Sequence, residues 1–309
     1  MTTGFERGAA FVDGRFVPVD EARVPITDVG FSRSDVTYDV VGVWDGAFFR
    51  LDDHLARFER SCASLRLRLP FSRAETTEIL MRLVRLSGLR ESYVDVICTR
   101  GVPRDGSRDP RTFENRFYAY AIPYVWILRP EDAETGMDAV IAATVRRIPA
   151  SSVDPTVKNF HWGDLTKGLY EAYDRGARYP ILLDHDGYVT EGSGYNVFAM
   201  VGGELLTPEA GALEGITRRT VLELAAEEGI RARPAAISEQ AFRGATELFA
   251  TSTAGGVMPI TSLDGEPVGA GLPGQVTSLL RERYWHAHKD PRYLTPVDYG
   301  PAGLTDRAH

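Results

Sequence analysis

The sequence is poor in lysine, in cysteine and in long apolar runs. Only three of its 35 basic residues are lysines, Lys158, Lys167 and Lys289, so chemistry that needs a side-chain amine has three candidates. The two cysteines, Cys62 and Cys98, are too few for a disulfide framework, and we expect both to be reduced residues of the core. No segment approaches the roughly 20 unbroken apolar residues that a membrane-spanning helix needs, which argues against a membrane protein.

Other absences exclude further classes of function. The net charge is −8 and no basic block stands out, which disfavours nucleic-acid binding. The N-terminal residues lack a basic region followed by an apolar run, so we expect no secretory signal. The six histidines are scattered, so no metal site is expected. Neither the GxSxG motif of many hydrolases nor the GxxxxGK[ST] motif of P-loop proteins occurs. A cytoplasmic metabolic protein fits this composition best.

Strands and helices alternate along the chain, which predicts an α+β fold. The length of 309 residues suggests two domains or one large one. The polar segment 128–136 contains Pro130 and ends in Gly136, so we predict a small domain over 1–124, a linker over 125–136 and a larger domain over 137–309. Tight-turn dipeptides predict five hairpins, at Asp13-Gly14, Asp45-Gly46, Asp186-Gly187, Gly202-Gly203 and Asp264-Gly265. Apolar periodicity predicts helices over 52–67, 72–86, 217–228 and 275–288, and β-rich runs predict strands over 93–100, 116–126 and 247–252.

The three lysines differ in their surroundings. Lys289 follows the last predicted helix in a polar tail, and Lys167 lies on the polar face of a helical pattern, at the spacing that pairs with Asp164 or Glu171. We expect both lysines to be solvated. Lys158 lies in the extended, partly apolar segment DPTVKNFH, where no carboxylate is placed to pair with it along a helix. Burial there is costly and would favour the neutral, nucleophilic amine, so Lys158 is the candidate for a covalent role.

Two glycine-containing segments have the composition of anion-binding sites. The segment 214–218 (EGITR) precedes a predicted helix whose free N–H groups and Thr217 hydroxyl would suit a phosphate; an ordinary N-capped helix is the alternative. The segment 251–256 (TSTAGG) follows a strand and would form either a backbone nest or a plain turn. Glu191 stands where a strand meets the turn GSG, either pointing into a cleft or stabilising the turn. The residues alone leave these alternatives open.

Taken in chain order, four segments resemble the fold-type IV pyridoxal 5′-phosphate (PLP) enzymes, which include branched-chain and D-amino acid aminotransferases and aminodeoxychorismate lyase. These segments are DPTVKN (154–159), TEGSGYNV (190–197), GITRR (215–219) and TSTAGG (251–256). Within this family, three longer stretches resemble the (R)-selective amine transaminases. They are SDVTYDVVGVWDGAFFRLDDHLARF (34–58), TVRRIPASSVDPTVKNFHWGDLTKG (144–168) and STAGGVMPITSLDG (252–265). The resemblance covers almost the whole chain, and four motifs in the correct order are far more specific than any one of them.

The resemblance implies a fold, a cofactor and a reaction. The fold is the two-domain fold-type IV architecture, in which a small α/β sandwich domain and a larger pseudo-barrel α/β domain hold PLP between them. The enzyme would be a homodimeric transaminase that moves an amino group from an (R)-amine or a D-amino acid to a keto acid such as pyruvate, by a ping-pong mechanism. In this family the Schiff-base lysine precedes the cofactor-binding glutamate by about 33 residues, which is the separation of Lys158 from Glu191, whereas Lys167 lies only 24 residues before it.

The resemblance also implies roles for individual residues. Lys158 would form the Schiff base and shuttle a proton between substrate and cofactor, and Glu191 would pair with the pyridine nitrogen so that the ring accepts electrons. The residues matched to the phosphate site are Arg57, Ile216, Thr217, Ser252 and Thr253. The residues matched to the substrate pocket are Arg33, Tyr38, Tyr93, Asp95, Arg104, Trp162 and Ala254. Without the resemblance, the helical pattern predicts a solvated Arg57 on the polar side of its helix.

Two arginines bear on the choice of substrate. Arg104 lies in a polar loop and resembles an arginine that admits a substrate carboxylate. Arg33, in FSRSD, stands where related amine transaminases commonly have histidine. An extra cation near the pocket would favour carboxylate substrates such as D-amino acids.

Two rival functions remain open. The first is an enzyme of the same fold with another substrate: a branched-chain or D-amino acid aminotransferase, or an enzyme similar to aminodeoxychorismate lyase. The second is a non-catalytic protein that binds a phosphorylated ligand in the two anion-binding segments. The joint occurrence of Lys158 and Glu191 with both segments argues against the second.

Overall fold

The computed structural model describes residues 4–103 and 106–300, and these residues form sixteen β-strands and seven α-helices. The strands are β1 (Ala9–Val12), β2 (Arg15–Pro18), β3 (Val36–Trp44), β4 (Ala47–Phe49), β5 (Ser92–Val102), β6 (Glu114–Pro123), β7 (Met137–Arg146), β8 (Tyr179–Leu183), β9 (Val189–Gly192), β10 (Tyr195–Val201), β11 (Glu204–Pro208), β12 (Ala232–Ala235), β13 (Leu248–Ser252), β14 (Gly256–Leu263), β15 (Glu266–Pro267) and β16 (Leu294–Pro296). The helices are α1 (Val29–Arg33), α2 (Leu51–Ser64), α3 (Arg73–Ser87), α4 (Gly163–Asp174), α5 (Ile216–Glu227), α6 (Glu239–Arg243) and α7 (Gln275–Ala287). Short 3₁₀ helices cover Val19–Glu21, Pro110–Thr112, Pro130–Asp132 and Pro291–Tyr293.

The described chain forms two compact units. Unit 1 comprises the residues up to Val125, residues 157–160 and those from Asp290 onwards, and unit 2 comprises 126–156 and 161–289. The first break between the units lies between Val125 and Trp126. Residues 157–160, which include Lys158, and residues 290–300 group with unit 1 by their contacts, although the sequence prediction assigned both segments to the larger domain.

Unit 1 is built on a seven-stranded antiparallel sheet in the order β16-β4-β3-β5-β6-β1-β2. Side chains alternate between the two faces of a sheet. On one face, core residues such as Val41, Val94 and Ala121 pack with α2 and α3. The strand register places Asp95 beside Tyr120 on the opposite face. An acid and a tyrosine on the face away from this core make that face a candidate surface for chemistry.

Helices α2 and α3 complete the core of unit 1. Ser72 and Glu75 form a capping box, in which each side chain accepts a hydrogen bond from the other residue's backbone N–H, and this begins α3. The helix ends at Gly88, whose φ of 67° is the left-handed conformation that glycine adopts readily. Helix α2 buries Leu55 and Phe58 in the core, and each such side chain contributes about 2 kcal/mol. This packing fixes the rotation of α2 about its axis and therefore the side chains on its other faces.

Unit 2 contains a nine-stranded sheet that closes on itself. The strand order is β12-β11-β10-β13-β14-β7-β8-β9, β15 pairs with β14, and a further pairing joins β9 to β10. Six strands, from β10 through β13, β14, β7 and β8 to β9, therefore form a closed barrel. Its strands contribute buried side chains such as Ile181, Val197 and Ile260 to one core. Glu191 lies on β9 and Ser252 ends β13, so both belong to barrel strands.

The predicted α+β class, with one barrel-containing unit, is confirmed. All five predicted turns connect paired strands. In the first hairpin, Asp13 and Gly14 both have positive φ, as a tight two-residue hairpin turn requires. The predicted helices correspond to α2, α3, α5 and α7. The sequence did not predict the short helix α1 or the edge strands β12 and β16, whose apolar patterns are too brief to read. Among the described residues, every helix is too short or too polar to cross a membrane.

Candidate active site

The predicted site residues form one group in unit 1 and another in unit 2. The group in unit 1 contains Arg33, Tyr38, Arg57, Tyr93, Asp95 and Lys158. The group in unit 2 contains Trp162, Glu191, Ile216, Thr217, Ser252, Thr253 and Ala254. Arg104 lies outside the described residues.

The segment that carries Lys158 is fixed to strand β3. The Tyr38 backbone N–H and the Thr37 hydroxyl both donate to the Lys158 carbonyl oxygen, at 3.2 and 2.6 Å. Lys158 is half-buried, and its Nζ lies 4.4 Å from the centroid of the Tyr38 ring. Phe160 packs against the same ring, with 4.7 Å between ring centroids. The Lys158 amine is thus held over an aromatic face on a backbone that is itself hydrogen-bonded in place.

The other two lysines are exposed, as predicted. Both carboxylates considered as partners for Lys167 accept hydrogen bonds from other residues. Asp164 accepts from Arg147, and Glu171 accepts from the Thr144 hydroxyl. The surroundings of Lys167 therefore give no indication of a chemical role.

Asp95 is a buried acid with one unsatisfied oxygen. The Tyr120 hydroxyl donates to Oδ2 at 2.9 Å, while Oδ1 is buried and has no hydrogen-bond partner among the described residues. Burial raises the pKa of Asp95 to about 8, although the Tyr120 hydrogen bond and the charge of Lys158 oppose the rise. Burial also raises the pKa of Tyr93, which lies two residues earlier on the same face. Asp95 is therefore mainly a neutral acid at pH 7 and can donate a hydrogen bond.

Arg57 is buried, so the prediction of a solvated residue is wrong. Its side chain donates from Nε and Nη2 to the two carboxylate oxygens of Asp39, at 2.7 and 2.8 Å. His54 Nδ1 lies 2.8 Å from Asp39 Oδ1. Burial alone would raise the pKa of Asp39, but Arg57 and His54 more than offset burial and hold this pKa well below its usual range. The helical pattern missed this because the partner carboxylate comes from strand β3, 18 residues earlier.

Glu191 is a buried carboxylate that accepts N–H hydrogen bonds from Arg147 and from the backbone. Arg147 donates to Oε1 from Nε and Nη2, at 3.1 and 3.0 Å, and the Leu213 backbone N–H donates to Oε2 at 3.0 Å. Arg147 also donates from Nη1 to Asp164 Oδ2 at 2.5 Å. Burial opposes the charge on Arg147, but its two carboxylate partners prevail and raise the pKa of Arg147 above its usual value. Together these donors stabilise the anionic form of Glu191.

The sequence analysis did not assign Arg147, Asp164 or Asp39 to the site. Arg147 follows β7 and is 44 residues from Glu191, so no local spacing links the two. The one available signal lies in the stretch 144–168, which contains both Arg147 and Asp164 and carries part of the family resemblance. Asp39 was detectable as a charged residue amid the apolar pattern of β3.

Helix α5 opens on the first predicted anion-binding segment. Its N-cap residue is Gly215, which has no side chain to satisfy the N–H groups of the first turn. A Cβ at Gly215 would overlap the Oδ1 atom of Asn196, so a side chain here would require Asn196 to shift. Ile216 and Thr217, the first two residues of the helix, are both buried. This helix start therefore combines N–H groups, a helix dipole and a hydroxyl, which is a suitable arrangement for a phosphate.

The second predicted anion-binding segment is a turn ordered by Ser252. The Ser252 hydroxyl donates to the Gly194 carbonyl at 2.9 Å and accepts from the Ala254 N–H at 3.2 Å. A Cβ at Gly194 would lie 3.3 Å from the Trp162 ring, so Trp162 packs closely against the same turn. Gly194 follows shortly after Glu191, so unit 2 brings Glu191, Ser252, Ala254 and Trp162 into one neighbourhood.

Arg33 ends helix α1 and is exposed. The helix is anchored at its start by Asp28, a fully buried N-cap residue. Asp28 accepts from the Gly30 N–H and from the hydroxyls of Thr99 and Tyr118. Arg33 thus stands on an anchored helix that leads directly into β3.

Comparison with known proteins identifies the family. The amino-transferase class IV family matches residues 37–263. The chain is 32% identical to the branched-chain-amino-acid aminotransferase of Pseudomonas aeruginosa, over 92% of this chain and 94% of the relative. It is 31% identical to the D-alanine aminotransferase of Bacillus licheniformis, over 86% of this chain and 92% of the relative. Among solved structures, a T.th. branched-chain amino acid aminotransferase with pyridoxamine 5′-phosphate matches at a TM-score of 0.88 and 28% identity, covering 95% of this chain and 100% of that one.

These findings confirm the resemblance to fold-type IV aminotransferases and the predicted class of enzyme. Enzymes of this fold use PLP, so the predicted cofactor is confirmed at the level of the family. The rival interpretation, a non-catalytic protein that binds a phosphorylated ligand, does not fit these comparisons. The finer resemblance to (R)-selective amine transaminases stays a prediction. The chain belongs to the amino-transferase class IV family.

Proposed function

We propose that this aminotransferase moves an amino group from an (R)-amine or a D-amino acid to a keto acid such as pyruvate, in ping-pong order. The observation that carries the proposal is the burial of Asp95, an acid that lies beside Tyr120 on the sheet face turned away from the core of unit 1. Burial already disfavours a carboxylate charge at this place, so a substrate carboxylate beside Asp95 would be costly to bury and a donor substituent that lacks a carboxylate is favoured there. An alkyl or aryl group among the tyrosines of this face meets that requirement.

The handedness of the donor rests on the resemblance of three stretches to (R)-selective amine transaminases. The stretch 34–58 contains Tyr38 and Arg57, the stretch 144–168 contains Lys158 and Trp162, and the stretch 252–265 contains Ala254. Each stretch therefore contributes residues that we assign to the cofactor or to the substrate. This distribution supports a shared substrate class and not merely a shared fold.

The residues present fit PLP group by group. Lys158 offers an amine to the aldehyde carbon, and Glu191 offers a buried carboxylate to the pyridine nitrogen. The start of α5 offers N–H groups to the phosphate. The fit is most specific at Gly215, because any side chain there would fill the space against Asn196 and disturb the helix start.

Lys158 and Glu191 carry the central chemistry in this proposal. When bound, the cofactor supplies an electron-withdrawing ring that stabilises negative charge on the reacting substrate carbon. Lys158 would bind the cofactor covalently at rest, and once the substrate amine has displaced it, its free Nζ would carry the proton from the substrate carbon to the cofactor, which contributes about 10²–10⁴-fold in rate. The Tyr38 ring beneath Nζ restricts where the amine lies. Glu191 keeps the ring nitrogen protonated.

The phosphate is assigned to the start of α5, to the turn after β13 and to Arg57. At the start of α5, the backbone N–H groups of Ile216 and Thr217 and the Thr217 hydroxyl serve as hydrogen-bond donors. Thr253, which directly follows Ser252 in the turn that Ser252 orders, is assigned to the phosphate as well. In unit 1, Arg57 supplies a positive charge. Its two hydrogen bonds to Asp39 fix the guanidinium plane, so less side-chain freedom is lost on binding.

The substrate pocket is assigned to aromatic residues and two arginines. Tyr38, Tyr93, Asp95, Trp162 and Ala254 form its walls in this proposal. Arg33 and Arg104 would bind the carboxylate of a D-amino acid or keto acid when one is present. Because a ping-pong enzyme must accept the keto acid in the same pocket, a cation on a side remote from Asp95 is needed for the second half-reaction.

We also propose that the enzyme is a cytoplasmic homodimer. The segment around α1 exposes Val24, Ile26 and Phe31, with 46%, 79% and 71% of their surfaces accessible. These residues lie within eight positions of one another in the sequence, and contiguous exposed apolar patches often mark protein interfaces. Both cysteines are unbonded and buried, which fits a reducing compartment. Light scattering of the purified protein checks the dimer, and Phe31→Asp is expected to weaken it; a monomeric wild type at micromolar concentration would contradict it.

A second candidate is a branched-chain aminotransferase. It is favoured by the 32% identity to the Pseudomonas aeruginosa enzyme over nearly the whole chain. A branched-chain donor is an L-amino acid, so the two candidates differ in the hand of the donor, and an (R)-amine donor differs also in lacking a carboxylate.

A panel of donors separates the candidates. Purified holoenzyme is assayed with (R)- and (S)-1-phenylethylamine, D-alanine and L-leucine, each with pyruvate and with 2-oxoglutarate, and the products are resolved on a chiral column. We expect the (R)-amine to be used with pyruvate, and D-alanine to be used with 2-oxoglutarate, because D-alanine with pyruvate only regenerates the two reactants. If L-leucine has a higher kcat/KM than both, the proposal loses to the branched-chain candidate.

A substitution tests the part that Asp95 plays. Asp95→Asn keeps the shape but cannot ionise, so at pH 9, where Asp95 of the wild type is mostly charged, we expect the ratio of kcat/KM for 2-oxoglutarate to kcat/KM for pyruvate to be higher in the variant than in the wild type. Asp174→Asn, an exposed aspartate on α4, is the matched control and should leave the ratio unchanged. An unchanged ratio in Asp95→Asn would remove the support that Asp95 gives.

A further inference from the structure

We propose that Arg147 is a positioning residue that locks Glu191 as an anion and thereby places the shared proton on the cofactor's ring nitrogen. This inference rests on the proposed role of Glu191. It concerns a side chain that the sequence analysis did not identify.

The geometry is that of a clamp on one carboxylate oxygen. Arg147 directs two N–H groups, from Nε and Nη2, at Glu191 Oε1, and a third, from Nη1, at Asp164. The side chains of all three residues are at most 8% exposed. Asp164 is itself fixed, since it also accepts from the Ile148 backbone N–H and lies in the first turn of α4. The arginine is therefore held on one side by an anchored carboxylate and holds Glu191 on the other.

The charge of Arg147 decides where a proton between Glu191 and a pyridine nitrogen resides. A buried carboxylate without a cation is strongly basic, because burial disfavours its charged form. Such a carboxylate would take the proton from the ring nitrogen and leave the ring neutral. With Arg147 and the Leu213 N–H donating to it, Glu191 is a weaker base and the proton stays on nitrogen. The protonated ring is the better electron acceptor, so Arg147 acts on the rate through Glu191 without touching the substrate.

A purely structural salt bridge would have different consequences. It would stabilise the fold but would leave the protonation of Glu191 and the chemical step unchanged once the protein is folded. The test therefore needs a readout that stability alone does not move.

The experiment compares Arg147→Met, Arg147→Lys and Arg146→Met in the full chain. Arg146 is the matched control, because its Nη1 bonds the carbonyls of its own strand at residues 142, 143 and 145. We expect Arg147→Met to lower kcat about 10- to 100-fold, the range typical of residues that orient a ligand-binding side chain, with a smaller change in KM. Arg147→Lys keeps the charge but cannot make all three hydrogen bonds, so its kcat should lie between that of the wild type and that of Arg147→Met. Arg146→Met should match the wild type.

A second readout does not depend on turnover. Carboxyl-labelled glutamate is followed by ¹³C NMR in the cofactor-free protein, with Glu191→Gln identifying the Glu191 signal. We expect Glu191 to take up its proton at a higher pH in Arg147→Met than in the wild type. If Arg147→Met does not fold, Arg147→Lys carries both measurements, because it leaves no buried carboxylate without a cation.

The outcomes separate this inference from the proposed function. Slow turnover in Glu191→Gln with wild-type turnover and an unmoved Glu191 titration in the Arg147 variants would overturn the inference and leave the proposed function intact. Wild-type turnover in Glu191→Gln would refute the proposed role of Glu191 and the inference with it. In the supporting case, Arg147→Met has little further effect on kcat when Glu191 is already glutamine, since the arginine acts through that residue.

Discussion

The effect of burying Asp95 can be measured by comparing the free energy of unfolding of the wild type with that of Asp95→Asn at different pH values. Burial raises the pKa of Asp95 from its ordinary 3.8 to about 8. The unfolded chain therefore loses this proton near pH 4, whereas the folded chain keeps it until about pH 8, so the folded state binds the extra proton between these values. Stability is consequently lost as the pH rises through this window and levels off above about pH 8. At about 1.36 kcal/mol per pH unit, the wild type loses about 4 kcal/mol from this group between pH 5 and pH 8.

Asparagine retains an acceptor for the Tyr120 hydroxyl but does not ionise. We therefore expect the free energy of unfolding of Asp95→Asn, relative to that of the wild type, to be higher at pH 8 than at pH 5 by about 4 kcal/mol. Urea unfolding followed by tryptophan fluorescence, at equal cofactor content and at both pH values, measures the difference. Asp174→Asn is the control and should follow the wild type. A difference between Asp95→Asn and the wild type that stays constant from pH 5 to pH 8 refutes a buried neutral acid at this position.

Three further substitutions have outcomes that follow from local geometry. Arg57→Met leaves its buried carboxylate partner without an arginine, which costs about 3–5 kcal/mol of stability and lowers Tm. Arg60 is exposed on the same helix, so Arg60→Met should leave Tm unchanged. Calorimetry compares the two variants, and equal Tm values would contradict the prediction. Gly215→Ala introduces a Cβ that overlaps a neighbouring amide oxygen and should weaken PLP binding at least about tenfold, or about 1.4 kcal/mol, whereas Gly163→Ala, which meets open space, should leave the affinity unchanged in the same titration. Lys158→Ala is expected to lose turnover while keeping much of its PLP affinity through the phosphate contacts; complete loss of binding in an absorbance titration would count against that division of roles.

Features that depend on a few neighbouring residues could be predicted from the sequence. The turn at Asp13-Gly14 requires two residues that tolerate positive φ, and the sequence supplies them side by side. The start of α3 requires a Ser72–Glu75 pair at a spacing of three, which is equally local. Lys158 stood out because lysine is almost absent from the chain, so one amine in an extended segment was conspicuous.

Features that join distant parts of the chain could not be predicted in this way. The burial of Arg57 depends on Asp39, which the fold brings to it from a neighbouring strand. The clamp on Glu191 depends on Arg147, and nothing in the local sequence of either residue indicates that a buried ion pair will form between them. The polar face of a helix shows which side chains can be charged, but it does not show which of them meet a buried carboxylate after folding.

The account depends most directly on which lysine binds the cofactor. The holoenzyme is reduced with borohydride and digested, and the modified peptide is identified by mass spectrometry. We predict a pyridoxyl group on Lys158 and none on Lys167 or Lys289. A modification on Lys167, with Lys158 unmodified, would contradict the assignment of the site.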